Sequence, residues 1–305
     1  LKQFKWISTA SFLIAVSCSA LSCQSPFIRE SRVEIAGDAQ EPVVRFQPAE
    51  VPDGGLVRLE LTFDFPEPIS VQGSFEKIDF NFFKTVDSTQ ESQRFEALVA
   101  IPFGQKPGLF PIAIRTSKGH ELKVLVPVVA GAYASETLSV DPRHIKPPPK
   151  ALERMRREAS EVGRIYRNSV PQVLWSGEFG APLSTSITSS FGTKRVYNGQ
   201  MQSFHTGTDY KASVGTPVYA SAGGRVAMAK DLYMTGKTVI LDHGYGLFTI
   251  YAHLSDFKVK KGDSVAKSQP LGLSGATGRT SGPHLHWAAV VHRTKFNPLD
   301  LLKLR

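Results

Sequence analysis

His205 and Asp209 stand four residues apart, His284 and His286 two apart, and His253 lies between the pairs, all in the last third of a 305-residue chain. Positions i, i+2 and i+4 of an extended strand point to one face of the pleat, so each pair is expected to present both side chains from a single strand. Imidazole and carboxylate donors suit Zn²⁺, and a catalytic zinc site uses three protein ligands with a fourth position kept open. Five candidate groups for three places leave two for proton transfer. Spacing alone is met equally by a ligand set in which His284 replaces Asp209. A zinc held there lowers the pKa of a bound water towards roughly 7 and polarises a carbonyl. Amide hydrolysis also needs a proton taken from water, a stabilised oxyanion and a proton given to the leaving amine, and histidine titrates in the range such transfers need.

The elements that must position these groups are read from hydrophobic periodicity. From Pro182 onward, candidate strands fall at Pro217-Ala222, Arg225-Ala229, Thr238-Asp242, Phe248-His253 and His284-Val291, separated by frequent glycines and with no long helix. An all-β unit over 181–305 is expected. Earlier, Leu56-Phe63, Phe95-Ile101, Phe110-Arg115 and Leu122-Val129 follow turn signals such as Asp53-Gly54-Gly55 and Lys118-Gly119. Short strands at this spacing predict an antiparallel, immunoglobulin-like β-sandwich over 28–140. Between the two, 141–180 holds a joint, Lys146-Pro147-Pro148-Pro149-Lys150, and then an amphipathic stripe of Leu152, Met155, Ala159, Val162 and Tyr166. That stripe predicts a helix packed against one of the β units. His120, His144, His243 and His292 read as structural histidines.

The first residues bear on the compartment. Lys2 and Lys5 precede the apolar run around Phe12-Val16, and small residues follow, the order of a secretory signal over 1–22. Ala20-Leu21-Ser22-Cys23 also resembles a permissive bacterial lipobox, which would make Cys23 a lipidated residue and attach the protein to a membrane. Cys18 and Cys23 are the two cysteines, so the β units are expected to hold no internal disulfide. A net charge of +9 favours a polyanionic partner such as an acidic wall polymer, and without a basic run interleaved with aromatics no nucleic acid is expected. Glycine segments at Gly275-Ala276-Thr277-Gly278 and Ser281-Gly282-Pro283 lack a strand-loop-helix phosphate frame and are read as turns or groove walls.

Around the candidate ligands the chain reads Phe191-Gly192-Thr193-Lys194-Arg195, His205-Thr206-Gly207-Thr208-Asp209, Gly215-Thr216-Pro217-Val218-Tyr219-Ala220, Asp242-His243-Gly244, Tyr251-Ala252-His253-Leu254-Ser255 and Gly282-Pro283-His284-Leu285-His286. In this order, over roughly 190–301, the blocks resemble the LytM/lysostaphin-type zinc metallopeptidases, which cut peptidoglycan cross-links on a duplicated hybrid motif catalytic domain. The resemblance implies that His205, Asp209 and His286 bind one Zn²⁺. It makes His253 and His284 catalytic, with His284 activating water and His253 stabilising the oxyanion or shuttling a proton. Trp287-Ala288-Ala289 departs from the Phe-Glu that many members carry after the last ligand. The expectation is thus an all-β protein: sandwich, linker helix and LytM-type catalytic domain. It would be exported to the periplasm or cell envelope, with peptidoglycan as partner and substrate. The competing expectation is a non-enzymatic or latent LytM-like module that binds cell wall or activates an amidase.

Overall fold

The computed structural model describes residues 29–32, 42–64, 70–89, 92–138, 148–197 and 200–304. The leader 1–22, Cys23 and His144 lie outside them, as does the start of the proline joint. No helix among the described residues is long and apolar enough to cross a membrane.

The first half is two five-stranded sheets. One runs Arg29–Arg32, Val43–Gln47, Leu56–Phe63, Gln93–Ala100, Phe83–Lys84, and the other Val51–Pro52, Glu121–Val129, Gly108–Thr116, Val71–Phe75, Ile78–Asn81. Alternation drives this arrangement. Along Glu121–Val129 exposed and buried residues alternate almost without a break, so one face is dry and the other wet. The dry faces meet in one core of Phe46, Leu59, Leu61, Phe63, Ile112, Ile114, Val124 and Val126, among others. The expected strands are all present, Leu56–Phe63 with the expected ends and the other three with ends shifted by one or two residues.

The helix Pro149–Arg167 begins with proline at its first turn, where no N–H partner is needed, and places Arg164 and Arg167 at its negative end. Its Val162, Ile165 and Tyr166 lie on Met228, Leu232, Ile240 and Phe248 of the second half. Of the predicted stripe, Val162 and Tyr166 thus cover the back of the second β unit, while Leu152 and Ala159 are exposed.

That unit is a ten-stranded antiparallel sheet. Its path runs Ile187–Ser189, Thr208–Lys211, His284–Val291, Leu247–Phe257, Gly236–Gly244, Gly224–Leu232, Ser264–Val265. The strand Leu247–Phe257 is buried along its first eight residues, with Tyr251 in one core and Phe248 under the helix. Leu56, Leu98 and Ala100 of the sandwich join the core of this second unit. The junction is also hydrogen-bonded, from Asn297 N–H to Gly54 O at 2.7 Å and from Leu56 N–H to Asp300 Oδ2 at 3.2 Å.

A separate three-stranded sheet completes the fold. The strand Ser135–Leu138, leaving the sandwich, pairs in parallel with Lys194–Tyr197, which pairs with Gln200–Phe204.

Candidate metal centre

Three neighbouring strands carry most of the candidate groups. Thr208–Lys211 and His284–Val291 are in register with Asp209 opposite His286 and Lys211 opposite His284. On the other side of His284–Val291, Ala252 is opposite His286, and His253 beyond it has a left-handed φ of 59° that breaks the strand alternation, its ring lying 6.0 Å from that of His286. His284 and His286 share a strand face, as their spacing requires. His205 and Asp209 do not share a strand. His205 follows Gln200–Phe204 in the small sheet, the chain turns through Thr206-Gly207, and Asp209 lies in the large sheet. The expectation of one shared strand is corrected here: two sheets converge, and a strand running straight from 205 to 209 would have kept the ligands apart. Gly207 permits the approach, because a Cβ there would lie 2.5 Å from the Trp287 carbonyl oxygen and 2.7 Å from Cε1 of His286.

His205, Asp209 and His286 offer ligand atoms that all lie within 4.8 Å of one another. His286 Nδ1 is 2.8 Å from Asp209 Oδ1, His205 Nε2 is 3.1 Å from the same oxygen, and His205 Nε2 is 3.0 Å from His286 Nδ1. Burial raises the Asp209 pKa, but the two imidazoles outweigh it and hold the carboxyl well below the ordinary range. His205 Nδ1 faces the Ser190 carbonyl at 3.0 Å. A carbonyl only accepts, so Nδ1 carries the proton of the neutral ring and Nε2 presents a lone pair to a carboxylate that also only accepts. Two acceptors facing each other need a cation between them. Tetrahedral Zn²⁺ with bonds of about 2.0–2.1 Å sets its ligand atoms about 3.3 Å apart, close to the separations seen. The three residues fit a zinc ion.

His253 and His284 stand beside this tripod, their rings 4.8 Å apart. His253 Nδ1 is 2.8 Å from the Thr277 carbonyl oxygen. His284 Nδ1 is 2.9 Å from the Gly282 carbonyl and 3.1 Å from Thr280 Oγ1. By the same reasoning both rings anchor Nδ1–H on a carbonyl and turn Nε2 towards the centre, and His284 Nε2 is 3.7 Å from Asp209 Oδ1. Desolvation drops the His253 pKa to about 4, partly opposed by the Thr277 carbonyl. Its backbone has φ 59°, left-handed and uncommon for a histidine. His205, Asp209 and His253 are buried, while His284 and His286 are half-buried.

The carbonyls of Ser190, Thr277 and Gly282 and the hydroxyl of Thr280 carry no signal of their own in the sequence, since every residue has a carbonyl. The only hint was that Thr277, Thr280 and Gly282 fall in or beside the glycine segments read as groove walls. Among the described residues, two other histidines are buried or packed apart from the centre. His243 is buried between the Gly223 carbonyl and Thr249 Oγ1, and His292 stacks on Phe80 at 5.3 Å.

Residues 203–298 match Peptidase family M23. The chain is 40% identical over 114 residues to the peptidoglycan DD-endopeptidase ShyA of Vibrio cholerae, covering 37% of this chain and 26% of that protein. It is 38% identical over 117 residues to the DD-carboxypeptidase/endopeptidase Mpg of Neisseria meningitidis, covering 38% of this chain and 27% of that one. The chain thus spans about a quarter of the length of the curated relatives it matches. A crystal structure from Pseudomonas aeruginosa, of a protein assigned to peptidase M23, superposes with a TM-score of 0.62 at 28% identity, over 83% of this chain and 94% of that one.

Proposed function

With residues 203–298 a domain of Peptidase family M23, we propose that this chain is a zinc-dependent endopeptidase that hydrolyses peptide cross-links of bacterial peptidoglycan. The observation that carries the proposal is the meeting of three ligand atoms, on His205, Asp209 and His286, beside two more imidazoles anchored through Nδ1. The relatives named for peptidoglycan endopeptidase activity point to the same substrate class.

His205, Asp209 and His286 would hold the metal, His205 through Nε2 and His286 through Nδ1. Bound there, zinc supplies Lewis acidity, acidifying water and polarising the scissile carbonyl. His284 Nε2 takes the proton of the attacking water, and the Gly282 carbonyl on Nδ1–H stabilises the imidazolium that results. Water oxygen adds to the carbonyl carbon, the C–N bond breaks, and the proton passes to the leaving amine. His253, kept neutral by burial and holding Nδ1–H on the Thr277 carbonyl, offers a second Nε2 lone pair that can take up that proton and, once protonated, donate to the oxyanion or the leaving amine. A module without enzymatic activity has no need of this complete set.

Two finer readings belong to the proposal. The sandwich is immunoglobulin-like, supported by one sheet that pairs Val43–Gln47, Leu56–Phe63, Gln93–Ala100 and Phe83–Lys84 and another whose Val51–Pro52 edge runs parallel to Glu121–Val129. The protein acts in the cell envelope, supported by the signal pattern of 1–22 and the lipobox-like Cys23.

The test is digestion of purified sacculi by the full chain, with mass analysis of released fragments and His284→Ala as control. New peptide ends that depend on zinc and on His284 are expected. Zinc-loaded protein that releases none would overturn the enzyme reading.

A further inference from the structure

His205 is the one candidate ligand outside the large sheet. The hairpin of Lys194–Tyr197 and Gln200–Phe204 that delivers it has, among the described residues, one other strand partner, Ser135–Leu138, which is the chain leaving the sandwich. Lys194 N–H donates to the Ala134 carbonyl at 2.8 Å, just before that strand. The ligand is tied into the same arm from both backbone groups: Gly192 N–H donates to His205 O at 2.8 Å and His205 N–H to Thr193 O at 2.9 Å.

Aromatic packing reaches the ligand from the same side. Phe204, the residue before His205, stacks on Phe103 of the sandwich with centroids 4.0 Å apart and planes 13° from parallel. Tyr133 lies 4.8 Å from Phe103 and packs over Gly192, where a Cβ would meet its ring at 2.1 Å. Phe191 adds an edge contact to Phe204 at 6.2 Å. The sandwich end of the stack is itself held. The Asp53 carboxylate accepts from Gly104 N–H and Gly131 N–H, each at 2.7 Å, and the Tyr133 hydroxyl donates to the Asp53 carbonyl.

We propose that the sandwich is a working part of the metal centre: Phe103 is a positioning residue that, through Phe204 and the strand Ser135–Leu138, sets where His205 meets Asp209 and His286. The inference rests on the zinc reading above. It has a mechanical basis. Asp209 and His286 are fixed to each other by ladder pairing within one sheet, whereas His205 is tied to that sheet only through its ring, Nδ1 lying 3.1 Å from Ser189 Oγ and 3.0 Å from the Ser190 carbonyl, so its place also depends on what backs its arm.

The test measures Zn²⁺ affinity of the full chain by competition with a chromophoric chelator, together with the absorption spectrum of the Co²⁺-loaded protein. Phe103→Ala should weaken zinc by about 10-fold or more and alter the cobalt spectrum, as losing an outer support does elsewhere. Phe103→Tyr, which keeps the ring, should restore both. The control is Phe83→Ala, which cuts a second contact between the halves, Phe83 against Trp175 and Tyr245, away from the metal ligands. It should leave zinc affinity unchanged. Phe103 is half-buried, so its alanine variant should fold. If it does not, Phe103→Leu, which keeps apolar bulk without the stack, makes the same comparison. Wild-type affinity in the folded Phe103 variant, or equal losses in the Phe103 and Phe83 variants, would overturn the inference alone. Failure of the unaltered chain to bind zinc would overturn the metal reading beneath it.

Discussion

Asp209 and His284 point into the same small volume, yet their surroundings give them different work. Asp209 is buried and pulled into its charged form by two imidazoles, which is what a metal ligand requires. His284 is anchored through Nδ1 on Gly282 and only half-buried, which suits a group that exchanges protons with a substrate. Asp209→Ala should therefore lose zinc and activity together, whereas His284→Ala should keep most of its zinc and lose activity, as metal analysis beside sacculus digestion will record. Gly207 makes a sharper prediction about space. With the Trp287 carbonyl and the His286 ring at less than 3 Å from its missing Cβ, Gly207→Ala must push the Trp287 backbone or the His286 ring aside. It should cost about 10-fold or more in zinc affinity while overall folding, followed by circular dichroism, persists. The five residues that meet at the candidate centre were legible as candidates in the sequence, because ligand chemistry belongs to residue type. The tautomers of His205 and His253 were not, because their protons are placed by the carbonyls of Ser190 and Thr277, which are not neighbours along the chain.

At the scale of elements, the loop around 275–283 ties the two proton-carrying histidines to the sheet. Thr277 supplies the carbonyl for His253, donates its hydroxyl to the Leu254 carbonyl at 2.7 Å, and accepts from Lys237 N–H at 2.9 Å. The loop lies so close to Gly236 that a Cβ there would meet the Thr277 backbone at 2.3 Å, and Gly236 has φ 60°, where glycine is at ease. Thr277→Val keeps the shape and removes both hydroxyl bonds, leaving the part-buried Lys237 N–H without its acceptor. It should lower kcat by about 10- to 100-fold with zinc content unchanged, and Thr277→Ser should recover most of the loss; steady-state kinetics on a cross-linked peptide substrate will tell. The strands were legible because alternation is local, and the helix Pro149–Arg167 because its apolar stripe repeats at helical spacing. The break between His205 and Asp209 was not legible. Four residues of suitable spacing look the same whether they form one strand or cross from one sheet to another, and only the pairing of Gln200–Phe204 with Lys194–Tyr197 separates the two.

Across the whole molecule, stability should depend on pH through histidines far from the metal. His243 is fully buried, with Nδ1 2.7 Å from the Gly223 carbonyl, and desolvation lowers its pKa from 6.5 to about 4. The unfolded chain binds that proton below about pH 6.5 and the folded one only near 4, so the contribution is full above 6.5 and is lost as pH falls towards 4. The shift corresponds to roughly 3 kcal/mol. Urea unfolding should show stability falling between pH 6.5 and 4, with a shallower slope in His243→Gln. His292, also lowered to about 4 by burial, stacks on Phe80 at the junction of the two halves and should add to the slope. The sequence by itself determined the chemistry available here: the five metal-centre residues, the alternating strands, the packing helix and the glycines that let backbones touch. These depend on residue type and short spacing, which neighbours along the chain settle. Only the tertiary structure decided that His205 comes from its own small sheet, that the sandwich shares a core with the large sheet, and that the Ser190 and Thr277 carbonyls aim His205 and His253. Those are contacts between residues tens to hundreds of positions apart, and no local pattern encodes which surfaces will meet.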